Sequence, residues 1–397
     1  MKLTGRVFYA VVVLVSALFL FVGNRVAAAG RVGLADGYAP VYHTAVVTQV
    51  VERVELFHEI GPDFGFTNVY VFFTARLGEN VVVAEQSVSD FVASVEREVA
   101  VGDHVLLVYD EFLGHYVFTG YVRVNYIMWL GAVFFALVVA FGRAKGLRAI
   151  VSLGFTCIAI FWVFVPAILS GRNVYAVTLV ICAYAVVSTM LMVLGPNRRA
   201  LGSMLACAGG VAAAGALMAL MGHVLNLTGV PNQEAQMLLF LPLEHTPDLR
   251  ALIFAGVVLG AAGVIMDAAM SIASSMWEVR QAGVSGFRAL FSSGLNVGRD
   301  VLGANLNTFI LAYIGSSLSL VLIVLATSAS ATELFNSEMI AVELLRALVG
   351  SLGMLLTIPL TAAVCGRLYV SSGDEHGNRD TAEYYYDEHF GYIKKEE

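Results

Sequence analysis

The chain alternates long apolar runs with short polar breaks, and the run lengths predict its elements. A helix rises about 1.5 Å per residue, so crossing a hydrocarbon core takes about 20 apolar residues. Eight runs meet that requirement: residues 7–29, 126–142, 149–170, 174–194, 200–221, 251–276, 304–327 and 341–365. The second is the shortest, and the last carries polar residues near its start. Between the first two runs the pattern changes. Residues 45–54 and 68–74 are rich in Val, Thr, Phe and Tyr, and 81–88, 104–109 and 116–124 follow, with turns at Gly102-Asp103 and Gly114. Short β-favouring runs bounded by turn residues predict a small, barrel-like β domain. From Ser371 onward the chain is polar and short of aliphatic residues, which predicts disorder or a loosely docked helix. The expected fold class is an α-helical polytopic membrane protein of about eight transmembrane helices with a small exported β-rich domain. Its expected parts are an N-terminal transmembrane anchor (1–29), the β-rich domain (30–125), a seven-helix membrane region (126–370) and a polar cytoplasmic tail (371–397).

Lys and Arg in short loops set the expected orientation. Lys2 and Arg6 precede the first run. Arg143, Lys145 and Arg148 separate the second and third, Arg198 and Arg199 the fourth and fifth, and Arg280, Arg288 and Arg299 the sixth and seventh; Arg367 follows the eighth. With eight spans all these loops share one side, which puts both termini in the cytoplasm and exports residues 30–125. Lys2, Arg6 and Ala27-Ala28-Ala29 also fit a signal peptide with a small-residue cleavage site; the length of the apolar run favours an uncleaved anchor. The external loop 222–250 has an apolar middle beginning at Met237, readable as an interfacial segment or as an ordinary loop.

Composition agrees. The chain is 58% hydrophobic and 13% charged, against about 25% charged in soluble domains. Its net charge of −7 gives no footing for nucleic-acid binding. Cys157, Cys182, Cys207 and Cys365 all lie in apolar runs without a CxxC pair, so they read as small core residues rather than as disulfide or zinc ligands. His43, His58, His104 and His115 are scattered through the β domain with no spacing that demands a metal. No cofactor motif is present.

The sixth run holds the feature with most chemical content, the carboxylate of Asp267. A charge at membrane depth costs roughly 2.5–3.5 kcal/mol on insertion scales and by default marks function. Gly256, Gly260 and Gly263 precede it. Asp267, Ser271, Ser274 and Glu278, spaced by four, three and four, share one helix face. Asp267 lies about 24 Å along the helix from its outer end. The seventh run travels the opposite way, with Asn305 and Asn307 early in it, so either is expected to meet Asp267 by depth. This set (Asp267, Ser271, Asn305, Asn307) suits a proton or cation relay, or equally a structural hydrogen-bonded group. Secondary polar candidates are Glu278, Arg299 and Asp300 at the cytoplasmic side, and Glu343 with Arg346, three apart and expected near the outer surface as a gate or a water-exposed helix start. Pro359, within Thr357-Ile358-Pro359-Leu360-Thr361, removes one backbone hydrogen bond from the last run. No catalytic set is visible: GxSxG, HExxH and P-loop motifs are absent from the sequence, and the expectation is a non-enzyme.

Several blocks resemble the YibE/F family of bacterial membrane proteins. They are Gly263-Val264-Ile265-Met266-Asp267-Ala268-Ala269-Met270-Ser271-Ile272, Ser293-Gly294-Leu295-Asn296-Val297-Gly298-Arg299-Asp300, Asn307-Thr308-Phe309-Ile310-Leu311-Ala312-Tyr313-Ile314-Gly315, and Arg346-Ala347-Leu348-Val349-Gly350-Ser351 with Thr357-Ile358-Pro359. The resemblance extends to Gly142-Arg143-Ala144-Lys145-Gly146-Leu147 and to the β domain, and implies the bacterial cytoplasmic (inner) membrane. A weaker similarity links the C-terminal spans to the export subunits SecD and SecF of the proton-driven RND superfamily, which would give Asp267 a proton-relay position; the eight spans and the smaller exported domain depart from that pattern. Two functions are expected from these readings. One is transport or ion-coupled work across the membrane with Asp267 as the titrating group. The other is a non-transporting scaffold or an assembly or export accessory factor for envelope proteins. The lipid bilayer is the expected partner, with envelope proteins or a second copy of the chain as further ones.

Overall fold

The structure, a computed structural model, describes residues 2–28, 41–61, 64–89, 97–231, 233–240, 245–327, 330–370, 384–387 and 391–394. Ala29 of the cleavage-like pattern and most of the polar tail lie outside the described residues. The chain divides into two compact units, residues 33–141 and residues 1–32 with 142–397.

The first unit is built on a closed five-stranded barrel of order β1-β2-β3-β5-β4. Its strands are β1 (Tyr42–Gly61), β2 (Phe64–Leu77), β3 (Asn80–Ser89), β4 (His104–Asp110) and β5 (His115–Tyr121). All neighbours are antiparallel except β3 and β5. Period-two alternation sends Ala45, Val47, Val71, Phe73, Ala75, Ala84, Val105 and Leu107 inward to a common core. The five expected strands are all present. β1 and β2 outrun their expected ends because they pair with each other to the tip of a hairpin. β1 serves two neighbours: its first residues pair with β4 and the rest with β2, and register shifts at Val47/Gln49 and Val50/Glu52 supply the bend. Gln86, fully buried, donates to Arg97 O (3.1 Å) and accepts from Val99 N (2.8 Å), holding the strand-free segment before β4. The histidines are engaged separately: His115 Nε2 with Glu85 at 2.7 Å, His43 edge-on to Tyr116 and His58 stacked on Phe66.

The helices are α1 (Lys2–Ala28), α2 (Val124–Ile158), a π-helical segment Ala159–Phe164, α3 (Val165–Leu169), α4 (Val174–Leu194), α5 (Arg198–Val224), α6 (Gln233–Phe240), α7 (Leu249–Gln281), α8 (Phe287–Ser316), α9 (Leu318–Thr327), α10 (Ala331–Asn336) and α11 (Glu338–Val370). Six are long and apolar enough to span a membrane, or seven if α8 and α9, bent by 61°, form one broken span. The expected eight becomes seven because the second and third runs belong to one helical stretch, Val124–Leu169, and six if the broken α8–α9 pair is not counted. Arg143 (φ 48°, ψ −130°) leaves helical geometry within that stretch, between the two runs that hydropathy separates. The apolar middle of loop 222–250 starts in the second half of α6, and in the tail Tyr384–Asp387 (β6) pairs with Gly391–Lys394 (β7) as an antiparallel ribbon rather than a helix.

α7 is the centre of the second unit. It packs against α4, α5, α11 and α8, and α5 also packs on α4 and α11, and α11 on α8. Small residues bring these backbones together. A Cβ on Gly210 of α5 would sit 1.9 Å from Thr357 Oγ1 of α11; one on Gly298 of α8, 2.1 Å from Ile358; one on Gly202, 2.5 Å from Cys365 Sγ. α11 passes through Pro359 without a break. The hydroxyls of Thr357 and Thr361 donate to Gly353 O and Thr357 O, both at 2.7 Å, along the same stretch. The α1 end is tied in by Ser170 Oγ to Ala27 O (2.5 Å) and Arg172 to Val26 O (3.1 Å).

Two glycines of this unit are expected to respond oppositely to substitution. Gly210→Leu forces α5 off α11 and costs roughly 1–3 kcal/mol through overpacking. Gly256→Ala, where a Cβ meets nothing within 4 Å, gains up to about 1 kcal/mol of helix propensity. Midpoints of thermal unfolding of the detergent-solubilised protein, read by tryptophan fluorescence, check both signs.

Candidate functional site: an open polar stripe on the central helix

The four helices around α7 do not close the ring. α4 and α8 share no comparable packing among the described residues, which leaves one sector of α7 uncovered. The uncovered residues are those of the sequence-predicted stripe: Gly256, Asp267, Ser271 and Glu278 are exposed, with Gly260, Gly263 and Ser274 half-buried between them. A Cβ on Gly256 or Gly263 would meet nothing within 4 Å, so the stripe runs along open space. The opposite face of α7, including Ile265, Ala268, Ala269 and Ile272, is fully buried.

Depth can be read from the contacts of α8. A Cβ on Gly260 would lie 2.4 Å from Tyr313 Oη, and one on Gly294 lies 2.6 Å from Met276 Sδ. Seven residues on from Gly260 and nine back from Met276, Asp267 is therefore level with residues 303–306 of α8. Asn305, half-buried, is at that height; Asn307 lies past it and is exposed. The expected hydrogen bond is not formed: no described residue, Ser271, Asn305 and Asn307 included, bonds the Asp267 carboxylate. Its side chain faces the open sector rather than the bundle interior.

A second polar group lies further along the stripe. Arg346 Nη1 donates to Glu343 Oε1 at 2.5 Å, the i, i+3 pair expected from the sequence. Both partners are half-buried. The side chains are 32% and 18% exposed, and Glu343 Oε2 is buried without a hydrogen-bond partner among the described residues. Tyr313 of α8 is within electrostatic reach of both, while its hydroxyl sits against Gly260. α7 and α11 run parallel, with Ile265 at Gly353 and Met276 near Gly366. The pair is therefore level with residues 254–257 of α7, some 15–20 Å along the helix from Asp267. Tyr313, at Gly260, is about 10 Å from it by the same measure.

The remaining secondary candidates lie towards the other end. Arg299 donates to Asn296 within its own helix (3.0 Å), and Asp300 is exposed. Glu278, about 16 Å beyond Asp267, closes the stripe. At this end the loop cations of the sequence are gathered: Arg198 donates to Leu368 O (3.2 Å) and Arg280 to Tyr369 O (3.4 Å), while Arg199 lies over Trp277 and Arg367 over Phe287.

Two features had no local signal in the sequence. Glu338, at the start of α11, accepts from Thr228 N (2.9 Å), Thr228 Oγ1 (2.7 Å) and Gly229 N (3.0 Å). This fastens the loop after α5 to a helix start more than a hundred residues away. Gly229 has φ +95°, and a Cβ there would be 2.7 Å from Arg250 N, so only glycine lets the loop pass α7 so closely. Nearby, Tyr175, His223, Arg250, Met218, Leu227 and Phe254 border a cleft of about 200 Å³.

The sequence model of the YibE/F-like protein family matches residues 130–371. The chain belongs to the YibE/F-like family. The match covers α7, α8 and α11 whole, and so the entire stripe, but it begins after the barrel, which the sequence resemblance had included. No curated protein and no solved structure matches the chain, so the similarity to SecD and SecF has no counterpart among these comparisons.

The pairing of Glu343 with Arg346 can be probed by stability. Arg346→Met leaves a half-buried carboxylate uncompensated, and a loss of about 2 kcal/mol is expected, below the 3–5 of a fully buried pair because Arg346 keeps some solvent. The double variant Glu343→Gln/Arg346→Met is expected to recover most of it. Thermal unfolding of the three proteins side by side is the measurement.

Proposed function

We propose that this YibE/F-like protein performs ion-coupled work or transport across the bacterial inner membrane, with Asp267 as the group that takes up and releases the coupling ion. The observation that carries the reading is the placement of one carboxylate, without a protein partner among the described residues, on the only uncovered face of the most enclosed helix. A charge held at that depth is costly. The cost is met when the carboxylate binds a proton or a cation, and its open side supplies the route of exchange. Tyr313 with Glu343 and Arg346 on one side, and Ser271, Ser274 and Glu278 on the other, extend the polar line towards both ends of α7. Asn305, at the height of Asp267, is the neutral group best placed to bond the carboxylate when α8 moves towards α4. In this reading Val124–Leu169, 46 residues or about 69 Å of helix against a hydrocarbon core of about 30 Å, crosses twice with its turn at Arg143; the cation-rich end of the bundle and both termini are then cytoplasmic, and the barrel is exported.

A second reading is a scaffold for envelope proteins, in which a partner or a second copy covers the sector between α4 and α8. The openness of that sector favours it as much as it favours exchange with water. The two part on Asp267→Asn. In proteoliposomes with an imposed pH gradient, wild type is expected to dissipate the gradient faster than the variant at matched folded protein. A variant that matches wild type in that assay and sustains full function in cells sinks the relay and leaves the scaffold.

A further inference from the structure

The barrel unit carries a feature that the stripe does not explain. Strand direction places the loop end of the β1–β2 hairpin at the same end of the barrel from which the chain leaves for α2. Leu56 pairs with Asn68, and Asn68 with Ser89. Across β3, Ala84 pairs with Tyr116 and Glu85 with Val117 in parallel. β1 and β3 are both antiparallel to β2, so β1, β3 and β5 all run the same way, and α2 starts at Val124, just past the end of β5. Beyond Leu56 the two strands of the hairpin continue to Gly61 and Phe64. Five more residues of β1 at about 3.3 Å each carry the ribbon roughly 16 Å past the last β2–β3 pair, at the end of the barrel where β5 finishes.

The chemistry changes at the same height. Below it the ribbon is charged: Arg53 pairs with Glu98 (3.0 Å) and with Glu55. Above it Leu56 and Phe57, on opposite faces, are 47% and 69% exposed. β3 ends at Ser89, and among the described residues no barrel strand pairs with either edge of the ribbon further out. A two-stranded ribbon that shows Leu on one face and Phe on the other buries too little of itself to stand in water. On α2, Tyr126 and Trp129 are 75% and 73% exposed, in the first turns of a helix that continues apolar, which is where an interfacial aromatic belt falls. The hairpin end and the aromatic start of α2 thus belong to the same end of the barrel. In sequence the end mixes Phe57, Ile60, Phe64 and Phe66 with Glu59 and Asp63, a composition suited to the headgroup layer rather than to the acyl core.

We propose that the end of the β1–β2 hairpin inserts into the headgroup region of the bilayer that α2 enters, giving the barrel a second membrane contact. Two contacts on one barrel fix its tilt, where one helical tether would leave it free to rotate.

The test is photolabelling of the full chain in nanodiscs of phosphatidylethanolamine and phosphatidylglycerol. Benzoylphenylalanine is placed at Phe57, at Leu56 as a second position, at Trp129 as the membrane reference, and at Phe112. Phe112 lies in the β4–β5 turn at the start of β5, the far end of the barrel, and is fully exposed. Lipid adducts at 56 and 57 several-fold above those at 112, and comparable with 129, are the expected result. Labelling at 56 and 57 no greater than at 112, while 129 labels strongly, overturns the proposal. So does a cross-link at 57 to a second copy of the chain in place of lipid. Neither outcome depends on whether Asp267 carries ions.

Discussion

Close backbone approach around α7 is the constraint on which the helical unit depends. Lipid tails are as apolar as leucine, so helices in a membrane are held by contact and hydrogen bonding rather than by expulsion from water. Here that contact is bought with glycine. Gly202 and Gly210 of α5, Gly294 and Gly298 of α8, and Gly350 and Gly353 of α11 each leave room for a neighbour's side chain that a methyl group would displace. Thr357 shows the gain most clearly: its hydroxyl is satisfied within α11 by Gly353 O, so its outer surface can pack against Gly210 without carrying an unmet polar group. The tight packing covers three sides of α7, and the missing contact between α4 and α8 uncovers the fourth. The polar stripe sits on that fourth side because it is the only one where a carboxylate and serines do not have to fit into a glycine groove.

The elements were legible because their signals are local. Run length found the apolar helices but divided Val124–Leu169 in two, and β-rich composition with turn residues found all five strands. The depth of Asp267 relative to Asn305 was also legible, since antiparallel neighbours of known length fix each other's heights. Its azimuth was not. Which way a helix faces depends on how many neighbours it has, and nothing in residues 251–276 records that α4 and α8 stay apart. The same limit applies to Glu338 and Thr228, whose clasp joins positions far apart in sequence. Arg143 is a different case. Hydropathy correctly dips at Gly142-Arg143-Ala144-Lys145, but a charged break between two apolar runs reads the same whether the chain leaves the helix for one residue or for a loop. The tail's polar, aliphatic-poor composition predicted disorder or a loosely docked helix, whereas Tyr384–Asp387 pairs with Gly391–Lys394.

The two units divide the physical tasks. The barrel is stabilised by a dry core and by Gln86, whose two hydrogen bonds replace a missing strand partner. The helical unit is stabilised by packing and holds its charges at its margins, except along the stripe. The family match, which starts at residue 130 and runs to 371, follows this division closely. The matched residues take in α7, α8 and α11 with the stripe, and the barrel lies outside them.

Pro359 has a bearing on how such a bundle could move. Because α7 and α11 run parallel, Asp267 is level with residues 355–357 of α11, within a turn of the proline. A proline cannot donate to the carbonyl four residues before it, so α11 is least stiff at that height. Both flanking threonines are committed to their own helix. Below the weak point α11 is anchored by Tyr369, whose hydroxyl donates to Ala273 O of α7 at 2.9 Å. Above it the helix carries Glu343, Arg346 and Glu338. A flexure there would act as a lever with its fulcrum beside the carboxylate. The upper arm, with its ion pair and its clasp on the α5 loop, would swing while the lower arm stayed seated, and the geometry around Asp267 would change least in distance and most in angle.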